Sequence, residues 1–66
     1  MSAGRVAFFD EQRGFGFIEQ DDGPDLFFHF SDLTVSGFKT IDQDVRVMYE
    51  IKESDRGPRA AFIQEI

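Results

Sequence analysis

No stretch of this chain carries apolar residues at i, i+3, i+4 and i+7 without a glycine or a turn signal intervening, so an amphipathic helix is excluded. What remains is a series of short runs bounded by turn formers, at a spacing that predicts an all-β fold, a small barrel of five strands. The first run, residues 5–10, is rich in Val and Phe and follows Gly4. The second, residues 14–20, alternates so that Phe15 and Phe17 share one face. Asp21-Asp22-Gly23-Pro24-Asp25 is a turn, because Gly23 is free to take positive φ and Pro24 has no N–H for a ladder. In the third run, residues 25–30, Leu26 and Phe28 fall on one face and Phe27 and His29 on the other. Ser31-Asp32-Leu33 fits one helical turn, and residues 34–43 form a longer loop containing Gly37, Phe38 and Lys39.

The fourth run has the clearest alternation. Val45, Val47, Tyr49 and Ile51 form an expected core face, and Arg46, Met48, Glu50 and Lys52 a mostly wet one. Residues 53–58 turn the chain, and residues 59–66 close it as a fifth strand of open phase. Either Ala61 and Ile63 face inward and Phe62 outward, or the reverse. With no linker, repeat or low-complexity tract, residues 1–66 read as a single domain.

A chain of 66 residues buries only about 60% of its extended surface. At roughly 0.05–0.15 kcal/mol per residue, its stability should lie near 3–10 kcal/mol. The absence of cysteine removes any disulfide framework or thiolate metal site, and a single histidine removes a Cys/His cluster, so neither metal nor cofactor is expected. No apolar run approaches the roughly 20 residues that span a bilayer, and no charged start leads into an apolar run. The expectation is a soluble, cytoplasmic protein that does not engage a membrane.

Nine phenylalanines without a tryptophan exceed what so small a core needs, so some belong on the surface. Phe9, Leu26 and Phe28 are the expected core members. Phe15 and Phe17 are not, because Ile18 occupies the opposite face of their strand and one small barrel cannot bury both faces. With the second and third strands antiparallel neighbours, Phe15, Phe17, Phe27 and His29 meet on one face, with Phe8, Phe30 and Phe38 at its margins. Gly14 and Gly16 are expected to leave open the positions between the rings, letting a flat ligand reach the backbone. Arg13, Lys39, Arg56 and Arg59 would border this surface.

Such a surface suits unpaired bases, whose π-faces stack on aromatic rings for about 1–3 kcal/mol per base, while duplexes hide those faces. The net charge of −6 argues at first against a polyanionic partner. Its distribution softens that objection: residues 1–18 and 26–41, which hold eight of the nine phenylalanines, are each neutral, and the acid lies in 19–25 and 42–55. An enzyme is the poorest reading. There is no supported Ser, His and Asp arrangement, no phosphate loop, and a single histidine for base work. Asp21, Asp22 and Asp25 lack the order of a calcium loop and read as a solvated turn. The serious rival is a module whose aromatic face docks another protein.

Two segments carry a family resemblance. Arg13-Gly14-Phe15-Gly16-Phe17-Ile18 resembles the first ribonucleoprotein motif of bacterial-type cold-shock domains, and Leu26-Phe27-Phe28-His29-Phe30 resembles the second. Gly4-Arg5-Val6, Ser31-Asp32-Leu33, Gly37-Phe38-Lys39-Thr40 and Arg56-Gly57-Pro58-Arg59-Ala60-Ala61 agree as well, so the resemblance spans essentially the whole chain. It implies a five-stranded antiparallel OB-fold barrel, monomeric, that binds single-stranded RNA or DNA, with a preference for pyrimidine-rich segments and weak or no duplex binding. It also implies RNA-chaperone or gene-regulatory work under cold or other stress. By position, Phe8, Phe15, Phe17, Phe27, His29, Phe30 and Phe38 would stack on bases, and Arg13, Lys39 and Arg56 would contact phosphates or base edges. Two departures stand out. Ala7, Phe8, Phe9 and Asp10 replace the usual Lys, Trp, Phe and Asn, which removes a phosphate contact, shrinks the largest ring and sets a carboxylate near the ligand. Phe62 stands where a small polar residue is common.

Overall fold

The computed structural model describes residues 2–34 and 41–66. Five strands, β1 (Ser2–Asp10), β2 (Phe15–Gln20), β3 (Leu26–His29), β4 (Arg46–Ser54) and β5 (Gly57–Glu65), close into a barrel in the order β1-β2-β3-β5-β4. The β1–β2, β2–β3, β1–β4 and β4–β5 pairs are antiparallel. The fifth seam, where Phe27 of β3 faces Arg59 of β5, is parallel. A ring with an odd number of strands cannot alternate direction throughout, so one parallel seam is unavoidable. The expected antiparallel barrel holds apart from that seam.

Inward residues from every strand make one core. Val6, Ile18, Phe28, Val47, Tyr49 and Ile63 are buried almost completely, with Phe9 and Val45 packed against the cluster. Phe9 stacks on Phe28 with ring centroids 5.7 Å apart and planes 8° from parallel. The Tyr49 hydroxyl lies 3.2 Å from both the Ala3 carbonyl and Gln20 Oε1, so the buried phenol keeps an acceptor for its proton. Burial pushes its pKa up, and the nearby Asp21 carboxylate adds to that.

Two bulges interrupt the alternation read from the sequence. In β1 the register shifts between Val6 and Phe8. Val6 can then point inward, Phe8 outward and Phe9 inward, which strict alternation forbids. In β5, Phe62 and Ile63 together face Tyr49, because Met48 pairs with Gln64 and Glu50 with Ala61. Phe62 is the extra residue, at φ 52 and largely exposed. This settles the open phase of the fifth strand: Ala60, Ala61 and Ile63 are all buried and Phe62 points out.

Ile51 corrects the expected core face of the fourth strand. It is 49% exposed, whereas Val47 and Tyr49 are fully buried. β1 flanks β4 only as far as Tyr49, which pairs with Ser2. Beyond that point, among the described residues, β4 pairs only with β5, and every residue from Glu50 to Ser54 is exposed.

On the outer wall Arg46 makes a two-pronged ion pair with Asp21, at 2.7 and 2.8 Å. Asp21, expected only as part of a solvated turn, therefore ties the β2–β3 turn to β4. The Arg46 hydrogen bond, aided by its charge, holds the Asp21 carboxyl below its usual pKa. Arg5 similarly bridges Glu19 and Asp44, each at 3.1 Å.

The left-handed backbone at Phe62 leads to a first prediction. This conformation disfavours a bulky L-residue by roughly 1–2 kcal/mol, and Asn tolerates it. Because the ring is mostly in solvent, Phe62→Asn should raise stability by about 1 kcal/mol, read as a higher urea midpoint and a melting temperature roughly 4–8 °C higher. A second concerns acid. With its folded pKa depressed, Asp21 stabilises the fold above the usual carboxylate range, near pH 4, and that contribution fades as pH falls through the lowered value. Asp21→Asn should lower the urea midpoint at neutral pH and flatten its decline below about pH 4.

Candidate nucleic-acid interface

The register between β2 and β3 builds the site. Phe15 faces His29, Gly16 faces Phe28, Phe17 faces Phe27 and Ile18 faces Leu26. Opposed residues share a face of the sheet. One face therefore collects Phe15, Phe17, Phe27 and His29, and the other sends Phe28, Ile18 and Leu26 into the core. The bulge in β1 adds Phe8, which pairs with Phe17. Phe8, Phe17, Phe27 and Phe30 are between 38% and 46% exposed.

The outward rings form a connected surface. Phe15 lies 5.9 Å from Phe27 in a stacked arrangement and 6.2 Å, edge to face, from both Phe8 and Phe17. Phe17 meets Phe27 edge to face at 6.0 Å, and His29 lies 4.4 Å from Phe30. These contacts hold each ring against its neighbours and leave faces open to solvent.

His29 and Phe30 owe their placement to a short capped turn. The predicted helical turn is present one residue earlier, as a 3-10 turn over Phe30–Asp32 capped by His29. His29 Nδ1 accepts from the Ser31 N–H at 3.3 Å, and Asp32 Oδ2 accepts from the His29 N–H at 3.0 Å. This is a reciprocal capping box with imidazole in the role usually taken by a hydroxyl. An accepting Nδ1 leaves the proton of the neutral ring on Nε2. Phe30 is anchored through its own N–H, which donates to the Gly14 carbonyl at 2.8 Å.

The two glycines correct the expectation of open gaps between rings. Gly16 is buried, and a Cβ there would sit 2.3 Å from the Phe8 carbonyl and 2.9 Å from the Phe28 ring. Gly14, at φ 74, has Phe30 in the place a side chain would take, 2.8 Å from a Cβ. Both serve close packing beneath the rings rather than access to the backbone.

The cations are unevenly committed. Arg13 is 78% exposed and only 3.9 Å from Asp10 Oδ2. Asp10 itself is a turn residue: its Oδ1 accepts from the Gln12 and Arg13 N–H groups at 3.0 and 3.1 Å. The carboxylate expected near the ligand thus has a structural duty. Arg56 is exposed at the β4–β5 turn and makes no ion pair among the described residues. Arg59 lies over Phe27, its guanidinium carbon 6.0 Å from the ring centroid, and is paired with Asp32. Asp32 lies 27 residues away in sequence, and nothing local marks the pairing. Phe38 and Lys39 lie outside the described residues.

This arrangement can be set beside known proteins. The 'Cold-shock' DNA-binding domain matches residues 2–66. Cold shock protein 2 of Lactiplantibacillus plantarum is 45% identical over 64 residues, covering 97% of each chain. Cold shock-like protein CspD of Bacillus cereus is 46% identical over 63 residues, covering 96% of each. The major cold shock protein of Streptococcus pyogenes serotype M6 is 41% identical over 66 residues, covering all of this chain and 98% of that one. Among solved structures, drosophila Unr CSD456 superposes with a TM-score of 0.81 at 26% identity, over 98% of this chain and 26% of that chain. No helix among the described residues is long and apolar enough to cross a membrane. The barrel, both motifs and these relatives agree: the chain belongs to the cold-shock domain family, a family of nucleic-acid-binding OB-fold proteins that are not enzymes.

Proposed function

We propose that this protein binds single-stranded RNA or DNA by stacking bases on Phe8, Phe15, Phe17, Phe27, His29, Phe30 and Phe38. The observation that carries this reading is the continuous outward ring surface, in which Phe8, Phe17, Phe27 and Phe30 stand exposed side by side. Arg13, Lys39 and Arg56 contact phosphates or base edges. The ligand is pyrimidine-rich, duplexes bind weakly or not at all, and the protein acts as a monomeric single domain in the cytoplasm. Its cellular role is that of an RNA chaperone or regulator of gene expression under stress.

Charge sets the character of the binding. With four of the acids of the outer wall and floor, Asp21, Glu19, Asp44 and Asp32, each engaged by an arginine, the cations left for phosphate are few. Stacking supplies most of the affinity and counterion release little. The loss of a lysine at Ala7 and of the larger ring at Phe8 makes binding weaker than in a typical relative.

Fluorescence anisotropy of a labelled oligothymidine, beside a duplex of equal length, tests this directly. The single strand should bind well ahead of the duplex. With roughly 2–3 phosphates neutralised, the log–log salt slope should be about −1.4 to −2.1. A slope steeper than about −4, or binding to neither ligand, would overturn the reading and turn attention to a protein partner. Phe17→Ala and Phe27→Ala should each weaken binding by about 1–3 kcal/mol while melting stays cooperative, because both rings lie outside the core.

A further inference from the structure

The parallel seam places Arg59 directly beside the central ring of the stacking surface. Asp32 holds it there: the carboxylate takes Arg59 Nη2 with the same oxygen that accepts the His29 N–H. Both side chains are mostly buried, at 28% and 13% exposure. The pair therefore locks the guanidinium to the capped turn that orients His29 and Phe30. Yet the arginine is incompletely satisfied. Its Nε is buried without a partner, and Nη1 makes no hydrogen bond among the described residues. Beside it opens a cleft of about 450 Å³, lined by Phe27, Ser54, Asp55, Arg56, Pro58 and Arg59. That volume falls within the usual range for small-ligand sites.

We propose that Arg59 is a base-reading residue, selecting a base with a carbonyl at pyrimidine C4 or purine C6, such as thymine, uracil or guanine, in the cleft beside Phe27. The inference rests on the single-strand reading above and adds to it a determinant of base choice. A guanidinium offers only donors. It matches the O4 of thymine or the O6 of guanine and opposes the amino groups of cytosine and adenine, which are donors themselves. Asp32 also gives Arg59 a role distinct from that of Arg56. Its charge is balanced within the protein, so it releases little counterion on binding and contributes through direction rather than attraction. Locked against Phe27, it meets the base edge in one orientation, which is what discrimination requires.

The test is a set of heptathymidylates, each with thymine replaced by cytosine at one position, measured by fluorescence anisotropy. This replacement changes O4 to an amino group and nearly preserves ring size. The wild-type protein should disfavour cytosine at one position by about tenfold, the equivalent of one hydrogen bond to a charged group. Arg59→Gln, whose amide both donates and accepts, should abolish that difference and leave the salt slope unchanged. Asp32→Ala, which frees the guanidinium, should reduce the difference and steepen the slope by roughly 0.7. Thermal melting accompanies each variant; if Arg59→Gln does not fold, Asp32→Ala carries the test. Equal binding of thymine and cytosine at every position, or a difference that survives both substitutions, overturns the role of Arg59 alone. Failure to bind heptathymidylate at all overturns the stacking reading and this inference with it.

Discussion

The interior of a five-stranded barrel accepts one layer of side chains, and here Phe28 and Tyr49 occupy much of it. Everything on the outward aromatic face depends on how that volume is filled. Gly16 has no side chain because the Phe28 ring and the Phe8 carbonyl already stand where its Cβ would be. Phe9 enters the core flat against Phe28, and the β1 bulge that admits it turns Phe8 outward. Once the layer is full, the remaining rings of β2 and β3 have nowhere to go but the surface. The exposed aromatics are thus a consequence of closure in a chain with more phenylalanine than its interior can hold.

Exposure alone would make these rings an aggregation liability. Mutual contact and charge both moderate it. The rings brace one another edge to face around Phe15 and Phe27, so each surrenders part of its area while a face stays open. The acidic surplus adds a repulsion that opposes self-association. Much of that acid is spent locally, Asp21 on Arg46, Glu19 and Asp44 on Arg5, and Asp32 on Arg59. An overall charge of −6 is therefore compatible with a face that meets a polyanion.

Strain in this fold is localised. Phe62 and Asp44 are the non-glycine residues with positive φ among the described positions. Asp44 suits that geometry, since short polar side chains tolerate it. Phe62 does not, and its ring gains little burial in return. The bulge beneath it is nonetheless useful. It lets Ala60 and Ile63, three positions apart, both reach the core, which a regular strand could not do.

Much of this was legible in the sequence, because period-two alternation and turn chemistry are local properties. They sufficed for five strands, for the inward Leu26 and Phe28 and for the outward Phe15, Phe17, Phe27 and His29. Where reading failed, the cause was long-range. Ile51 follows the core alternation and is exposed because β1 ends beside Tyr49, which no property of β4 records. The glycines of the first motif look like gaps until Phe28 and Phe30 are brought against them from another strand and its following turn. The neighbours of Arg59, Phe27 and Asp32, are assembled only by the parallel seam. The sequence by itself determined which residues alternate and where the chain turns, since those depend on bonded neighbours. Tertiary structure alone decided which ring is covered, which glycine is crowded and which charge is balanced, since those depend on what closure of the barrel brings within a few ångströms.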